Sequence, residues 1–405
     1  MHLRRQSLQF LFALTTFVVS ASSHAYAEPT ASDAWTTKEE SAEKAFIDGK
    51  YEDADKLWRD ALAEAEKSGI DDLKVALTLN QMTHLFIKQG RYEEALPGLN
   101  RALAIRRKKL GEANILTAET LGNLALIDEK LGRDEDAEKF YKEALEIKEK
   151  KLGDNSPSVA ITKTNLANLY AEMRNCSEAK TLYLQALTID EKSYGSTHEE
   201  VASDLINLGS LLYHCNDAAE AIEFLQRAVK ISDKNPALKA SAFHYLGLCH
   251  AKLQHPSDAE EAYKQALAAQ ESIKGKGHPD TIVHLLNIAK VADEQGRTDE
   301  AEKIYKDALE TLQKNTTTKS MTLTECLIEI AHFYHRHNKP EESESYYKRA
   351  LQSYETLSRA DQRKLYELPR AYADLLKEQK RTTESDAMAK QYLHLYEPAA
   401  GEQIK

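Results

Sequence analysis

Glycine and proline are scarce in this sequence, with 15 and 9 residues among 405. Proline interrupts both helices and β-ladders, and these two residue types supply most tight turns, so a fold of many short strands is disfavoured. Alanine, leucine, glutamate and lysine dominate instead, and all four favour helix. The composition therefore predicts an all-α protein.

An excess of positive charge is also missing. The formal net charge is −11 at pH 7. An acidic chain is a poor binder of phosphate backbones, so nucleic acid is not a predicted partner. Mean hydropathy is −0.57, so we expect no membrane span once the N-terminal segment is removed.

Catalytic signatures are absent as well. The segment Gly275-Lys276-Gly277-His278 does not have the spacing of a phosphate-binding loop, and neither a nucleophile elbow nor an HExxH motif occurs. The sequence therefore predicts no catalytic residue, no metal ligand and no cofactor, and the protein is not expected to be an enzyme.

The N-terminus resembles a secretory signal peptide. Arg4 and Arg5 precede an apolar stretch, and small residues at Ala25 and Ala27 come before Glu28. An uncleaved anchor is the alternative, although the apolar stretch is short for a span of about 20 residues. We predict a signal peptide over 1–27 with cleavage after Ala27, and a periplasmic or secreted protein.

Self-similarity begins after a short linker predicted over 28–35. An alanine or serine recurs almost every 42 residues, and we call this the anchor position. The anchors are Ala54, Ala95, Ala137, Ala179, Ala221, Ala259, Ala301, Ser343 and, weakly, Ser385. One interval, from Ala221 to Ala259, is 38 residues, which indicates that about one helical turn is missing there. The array of about eight to nine repeats is predicted over 36–396, followed by a tail over 397–405.

Each anchor begins a pattern of small, large and small residues on one helix face. A large residue follows four positions later: Trp58, Leu99, Tyr141, Tyr183, Leu225, Tyr263, Tyr305 or Tyr347. A second alanine follows at the seventh position, from Ala61 to Ala350. Offsets of 0, 4 and 7 share one face of a helix, so this face is predicted to receive a neighbouring helix.

An earlier helix carries a small residue twelve positions before the anchor, as at Ala125, Gly209 and Gly247. Glycines such as Gly90 and Gly132, five positions before their anchors, predict the turn between the two helices. Such a helix pair cannot bury its apolar face alone, and stacking the pairs predicts a right-handed superhelical solenoid with a concave side.

These patterns resemble the tetratricopeptide repeat. Asn123-Leu124-Ala125 followed by Tyr141-Lys142-Glu143-Ala144-Leu145-Glu146-Ile147 is similar to the 42-residue repeat of the kinesin light chain subgroup. The resemblance covers nearly all of the chain after the signal peptide. It implies the solenoid fold and a protein-binding function, although fold alone does not identify the partner.

Side-chain amides recur fourteen positions before the anchor. We call these residues the amide ladder: Gln81, Asn123, Asn165, Asn207 and Asn287. In the repeats that this chain resembles, such amides line the concave groove and hydrogen-bond an extended peptide; an amide both donates and accepts. Asn168 is predicted to lie in the same groove. The alternative role is a hydrogen bond to the neighbouring repeat that holds the stack together.

Two further sets of residues leave alternatives open. His332 and His335 share a helix face and could bind a metal, but a polar groove surface is the favoured interpretation. Cys176 and Cys215 could form a disulfide if stacking brings them together, since an exported protein meets an oxidising compartment. Cys249 falls on an apolar face and is predicted to be a buried thiol.

The sequence thus predicts an interaction scaffold that binds a peptide or helix of a partner protein in its concave groove. A chaperone-like assembly factor with transient clients is the alternative hypothesis. A metal-dependent enzyme using the His332 and His335 region is a remote third hypothesis.

Overall fold

A computed structural model of the protein describes residues 33–70, 72–315 and 320–392. Secondary structure in these ranges is helical, without a strand, and the predicted all-α solenoid fold class is confirmed. The α-helices are α1 (Ala34–Ile47), α2 (Tyr51–Ser68), α3 (Leu73–Lys88), α4 (Tyr92–Leu110), α5 (Ile115–Lys130), α6 (Asp134–Leu152), α7 (Pro157–Glu172), α8 (Cys176–Tyr194), α9 (Glu199–His214), α10 (Ala218–Ile231), α11 (Pro236–Lys252), α12 (Pro256–Lys274), α13 (Ile282–Glu294), α14 (Thr298–Asn315), α15 (Met321–Arg336), α16 (Pro340–Tyr354), α17 (Arg359–Lys364), α18 (Glu367–Glu378) and α19 (Thr382–Gln391).

The described residues fall into two compact parts. We call residues 33–211 the N-terminal half and residues 212–392 the C-terminal half. In each half, consecutive helices form antiparallel pairs, and each pair packs on the next through its apolar faces. Among the described helices, none has both the length and the apolar character that crossing a bilayer requires.

The predicted signal peptide, most of the predicted linker and the C-terminal tail lie outside the described residues. At the other end of the linker, α1 begins at Ala34, inside the range predicted as linker. The helix begins there because the Asp33 side chain accepts a hydrogen bond from the Thr36 backbone N–H and caps the helix.

Burial follows the predicted register. Every anchor from Ala54 to Ser385 is at most 8% exposed, and every large residue four positions later is at most 3% exposed. The serine anchors fit because their hydroxyls find partners: Ser343 Oγ donates to the Ala331 carbonyl at 2.9 Å, and Ser385 Oγ donates to the Ala373 carbonyl at 2.8 Å. A buried hydroxyl that is hydrogen-bonded can replace alanine at modest cost.

Each turn within a repeat contains one residue with positive φ, five positions before the anchor. Glycine occupies this position at Gly49, Gly90, Gly132 and Gly296, as the sequence predicted. In the other repeats the same left-handed conformation is adopted by Arg174, Asn216, Gln254, Asn338 and Lys380. The turn geometry is therefore imposed by the helix pair, at some strain, even where glycine is lacking.

The 38-residue interval between anchors arises because the second helix of that repeat is shorter than the others around it. Helix α10 has 14 residues, whereas α8 and α12 have 19 each. A 3-10 turn over Ser232–Lys234 follows α10, and Asn235 then caps α11. The missing helical turn thus lies at the end of α10, before the 3-10 turn and the cap of α11.

Candidate functional site

The amide ladder lies on the first helices of successive repeats. Helices α3, α5, α7, α9 and α13 each present one ladder residue, and all five side chains are half-buried. Two of the other first helices, α11 and α15, show how the pattern varies. Tyr245 of α11 is buried at this position, and Glu329 of α15 is half-buried.

One ladder residue performs the stacking role that the sequence left open. Asn123 Nδ2 donates a hydrogen bond to Oδ1 of Asn80 at 3.1 Å. Asn80 is buried in α3, whereas Asn123 belongs to α5, so this bond joins the first helices of neighbouring repeats. Asn123 therefore contributes to the stack itself.

The remaining ladder amides are not engaged in this way. Within residues 33–70, 72–315 and 320–392, we find no hydrogen bond to the side chains of Gln81, Asn165, Asn207 or Asn287. A half-exposed amide with both its donor and its acceptor available can bind an external polar group such as a peptide backbone. The side chains of these four residues can therefore donate and accept hydrogen bonds to a ligand.

Asn168 does not belong to this surface set. Its side chain is 6% exposed, and its Oδ1 accepts a hydrogen bond from the Tyr183 hydroxyl in the interior of the helix pair. Asn168 lies three positions after Asn165, so its side chain points away from the half-exposed ladder and towards Tyr183 of α8. The prediction that Asn168 lines a groove is corrected by this burial.

A buried polar contact lies one helical turn from the ladder, and sequence reasoning missed it. Arg106, Lys148 and Asp190 occupy the same position of three second helices, 42 residues apart. Each faces a residue of the following first helix, namely Thr120, Thr162 and Asp204. We call these six residues the polar seam.

The first two pairs of the polar seam are hydrogen-bonded. Arg106 Nη1 donates to Thr120 Oγ1 at 2.8 Å and to the Leu116 carbonyl at 2.6 Å. Lys148 Nζ donates to Thr162 Oγ1 at 2.9 Å. Desolvation lowers the pKa of both basic groups. Because both side chains are more than 90% buried, these bonds hold each second helix to the next first helix.

The third pair of the polar seam consists of two acids. Asp190 and Asp204 are 7% and 5% exposed and hydrogen-bond each other. Desolvation raises the pKa of Asp190 to about 6, with Glu200 adding to the rise and His198 opposing it. Desolvation also raises the pKa of Asp204, and the charges of Asp190, Glu200 and Glu191 raise it further. Two carboxyl groups this close are most stable when they share a proton.

Replacing Asp204 by asparagine is expected to stabilise the protein at pH 7.5 by about 1–2 kcal/mol. A carboxyl pKa that folding raises contributes stability below the unfolded value of 3.8, and this stability is lost as pH rises through the folded pKa. The amide stays neutral and can donate to Asp190 at every pH. The gain should therefore shrink between pH 7.5 and pH 4.5 and vanish only below pH 3.8, as measured by urea unfolding.

The matched control for this pH dependence is Asp154→Asn, which changes an exposed carboxylate of the same half. It should alter the unfolding free energy by less than about 0.5 kcal/mol at both pH values. An Asp204→Asn gain that is equally large at pH 4.5 would contradict the shared proton.

The histidines of α15 take separate partners. His335 Nε2 lies 2.7 Å from Glu378 Oε2, and His337 Nε2 lies 2.6 Å from Asp293 Oδ1. The ring of His332 packs edge-on against the ring of Tyr347, with centroids 5.8 Å apart. The structure thus directs these three side chains to different neighbours instead of gathering them around one point.

The cysteines divide into two groups. Cys249 and Cys326 are free and buried, so the prediction for Cys249 is confirmed. Burial raises the pKa of both thiols to about 12, which leaves them unreactive at neutral pH. Cys176 is the first residue of α8 in the N-terminal half, and Cys215 directly follows α9 in the C-terminal half. The bridge between these two stays a prediction.

An open depression of about 630 Å³ lies elsewhere in the N-terminal half. It is lined mainly by α8, including Leu184, Gln185 and Thr188, together with Glu149 and Lys163. Within this lining, Lys163 Nζ donates hydrogen bonds to Glu149 Oε1 at 2.7 Å and to Gln185 Oε1 at 3.0 Å. The depression is separate from the ladder residues and forms a second candidate surface.

Comparison with known families identifies the repeat. A model described as "Tetratricopeptide repeat" matches residues 40–108, 74–150, 158–234 and 238–314, and a second model with the same description matches residues 323–361. Human mitochondrial tetratricopeptide repeat protein 19 is 39% identical over 70 residues. That match spans 16% of this chain and only 18% of the human protein.

Solved structures share the fold over a greater length. The apo form of RapI matches with a TM-score of 0.61 and 16% identity, covering 92% of this chain and 100% of RapI. The apo form of the quorum sensor NprR from B. thuringiensis matches with a TM-score of 0.59 and 13% identity, covering 89% of this chain and 98% of NprR. At these identities the similarity concerns the fold alone. The kinesin light chain subgroup stays a prediction.

Proposed function

Because this chain belongs to the tetratricopeptide repeat family, we propose that it is a non-catalytic adaptor that binds an extended segment of a partner protein along its amide ladder. The observation that supports this function most directly is the state of the ladder amides. Gln81, Asn165 and Asn207 of the N-terminal half are half-exposed and make no hydrogen bond to the described part of the chain.

The chemistry of the ladder favours a peptide backbone as its ligand. A backbone offers one N–H donor and one carbonyl acceptor per residue, and a side-chain amide pairs with both. Asn165 and Asn207 recur at one position of successive first helices, so they can engage successive parts of an extended chain. The net charge of −11 makes a nucleic-acid ligand unfavourable.

We place this function outside the cytoplasm. The support is the N-terminal pattern of Arg4 and Arg5, an apolar stretch and small residues up to Ala27, which is typical of an exported protein. Cleavage after Ala27 would release a periplasmic or secreted adaptor. A disulfide between Cys176 and Cys215 would be compatible with that compartment.

Changing Asn165 and Asn207 together to alanine is expected to weaken partner binding by about 30- to 1,000-fold. Each amide makes one or two hydrogen bonds to the ligand, and each bond contributes about 1 kcal/mol net, giving about 2–4 kcal/mol. The mature chain from Glu28 first captures its partner from an envelope extract, and mass spectrometry identifies the bound segment. Isothermal titration with the synthetic segment then gives Kd for each variant.

Asn123→Ala is the matched control within the ladder, because its amide already bonds to Asn80. It should lower the unfolding free energy by about 1 kcal/mol and leave Kd nearly unchanged. Backbone recognition is tested further with N-methylated segments, which lack the N–H donor and should bind weakly. If the double variant binds as tightly as the wild type, the ladder is not the site, and the depression around Leu184 and Gln185 becomes the next surface to test.

A chaperone-like function is the second candidate, and one feature favours it. Amides that read only the backbone tolerate many side chains, so the ladder could bind varied unfolded segments. The same titration separates the two functions. A single sequence bound far more tightly than scrambled versions supports the adaptor, whereas equal binding of scrambled segments supports the chaperone.

A further inference from the structure

The turn between α11 and α12 differs chemically from the corresponding turn of every other repeat. His250 lies in the last turn of α11, His255 is the N-cap of α12, and Asp258 lies in the first turn of α12. One ligand atom of each residue can be chosen so that all three lie within 4.8 Å of one another. Among the described residues, this is where three potential metal ligands converge.

The backbone fixes this convergence. The N–H of His255 donates to the His250 carbonyl at 2.9 Å and closes the turn, while Gln254 takes the left-handed conformation with φ of 60°. The two imidazole rings lie 6.1 Å apart between centroids. Asp258 follows His255 by three residues, so the first turn of α12 carries its carboxylate back towards the histidines. The backbone of this turn is therefore already ordered, and the binding of an ion would require little further change in it.

The same positions hold an ion pair in other repeats. The residue corresponding to His255 is arginine, and the residue corresponding to Asp258 is glutamate, in the pairs Arg91–Glu94, Arg297–Glu300 and Arg381–Glu384. Their N···O distances are 2.6, 2.7 and 2.6 Å. In this repeat an imidazole stands where those three repeats have a guanidinium.

An acid from the preceding repeat is also missing here. Arg297 forms a salt bridge with Glu260, and Arg381 with Glu344, both of which directly follow the preceding anchor. In the repeat that precedes His255, the residue directly after the anchor is Ile222. The turn therefore has neither the arginine nor the second carboxylate that the turns of Arg297 and Arg381 have.

One imidazole nitrogen of this cluster is unpaired in the described part of the chain, and the neighbouring lysine bonds to a different turn. Nδ1 of His250 is buried and has no hydrogen-bond partner among the described residues. The nearby cation Lys252 points elsewhere, because its Nζ donates to the Tyr213 carbonyl and to Asn216 Oδ1, both at 2.8 Å.

We propose that His250, His255 and Asp258 bind one divalent transition-metal ion, with Zn²⁺ as the preferred probe, and that this ion joins α11 to α12. Two imidazole nitrogens and one carboxylate oxygen suit Zn²⁺, Ni²⁺ or Cu²⁺ and not the all-oxygen sites of Mg²⁺ or Ca²⁺. Three protein ligands leave the fourth tetrahedral position open to water. The proposal is independent of the peptide-binding function of the ladder.

The test uses the full mature chain, purified without a histidine tag and treated with a chelator. Titration with Zn²⁺ against a chromogenic chelator should give one site per chain, and Co²⁺ should give the visible absorption of a tetrahedral complex. His250→Gln and Asp258→Asn should each weaken Zn²⁺ binding by more than the roughly 10- to 100-fold that loss of an outer hydrogen-bonding partner costs at metal sites.

Two further variants make the result decisive. The double change His255→Arg with Asp258→Glu recreates the ion pair of the other repeats, so it should remain folded by circular dichroism and lose the Co²⁺ band. His278→Gln is the matched control, since His278 also caps a helix and has an acid, Asp280, as its neighbour without a third ligand. Unchanged Zn²⁺ affinity in the double variant, or an equal loss in His278→Gln, would overturn the proposal.

Discussion

Replacing Tyr141 by alanine should lower the free energy of unfolding by about 3–5 kcal/mol, the range measured for aromatic residues lost from protein cores. The Tyr141 side chain is fully buried and fills the space between α5 and α6. The anchors and second alanines on either side are too small to collapse into the space that the ring would leave. Urea unfolding monitored by circular dichroism measures the loss.

Most of this stabilisation should come from the ring and not from the hydroxyl. The hydroxyl of Tyr141 donates to Glu129 Oε2 at 3.1 Å, but Glu129 also pairs with Lys130 at 2.7 Å. Tyr141→Phe therefore leaves the carboxylate with a partner and should cost about 1 kcal/mol. Tyr194→Ala serves as the control, since Tyr194 is 44% exposed and should cost less than about 1 kcal/mol. Equal losses for Tyr141→Phe and Tyr141→Ala would contradict the importance of the ring.

Two glycine-to-alanine changes should move stability in opposite directions. A Cβ at Gly247 would lie 2.5 Å from ring atoms of Tyr263, which is itself buried. We expect Gly247→Ala to cost about 1–3 kcal/mol, because the ring must retreat within a packed core. A Cβ at Gly122 meets nothing within 4 Å, so Gly122→Ala in the middle of α5 should stabilise by about 0.5–1 kcal/mol.

A double-mutant cycle tests the proposed cause of the Gly247 effect. Other repeats accept alanine opposite tyrosine, as at Ala125 with Tyr141, so the cost depends on how closely Tyr263 approaches its own partner. Combining Gly247→Ala with Tyr263→Leu removes the close contact and should make the two changes non-additive by more than about 0.5 kcal/mol. Additive effects, or a neutral Gly247→Ala, would show that the ring moves away without cost. Thermal unfolding of all four proteins gives the comparison.

The repeat pattern predicted where the ladder amides lie, but not what each amide does. The recurrence of amides fourteen positions before the anchor located the first-helix face, but it treated Asn123 and Asn165 alike. The structure separates them, because only Asn123 finds an amide in the preceding repeat, at Asn80. It also removes Asn168, whose position three residues after Asn165 is buried against Tyr183. Sequence spacing gives the helix face, but the partner across the stack decides what each amide does.

The sequence by itself determined the all-α class, the register of the repeat and the burial of the anchors and their aromatic partners. It could do so because helical period and side-chain volume are local properties that repeat along the chain. Only the tertiary structure decided which polar groups meet between helices. Lys148 reaches Thr162 and Asp190 reaches Asp204 because each second helix packs on the next first helix. The same holds for the convergence of His250 and Asp258, which depends on the backbone path through one turn and not on any local residue preference.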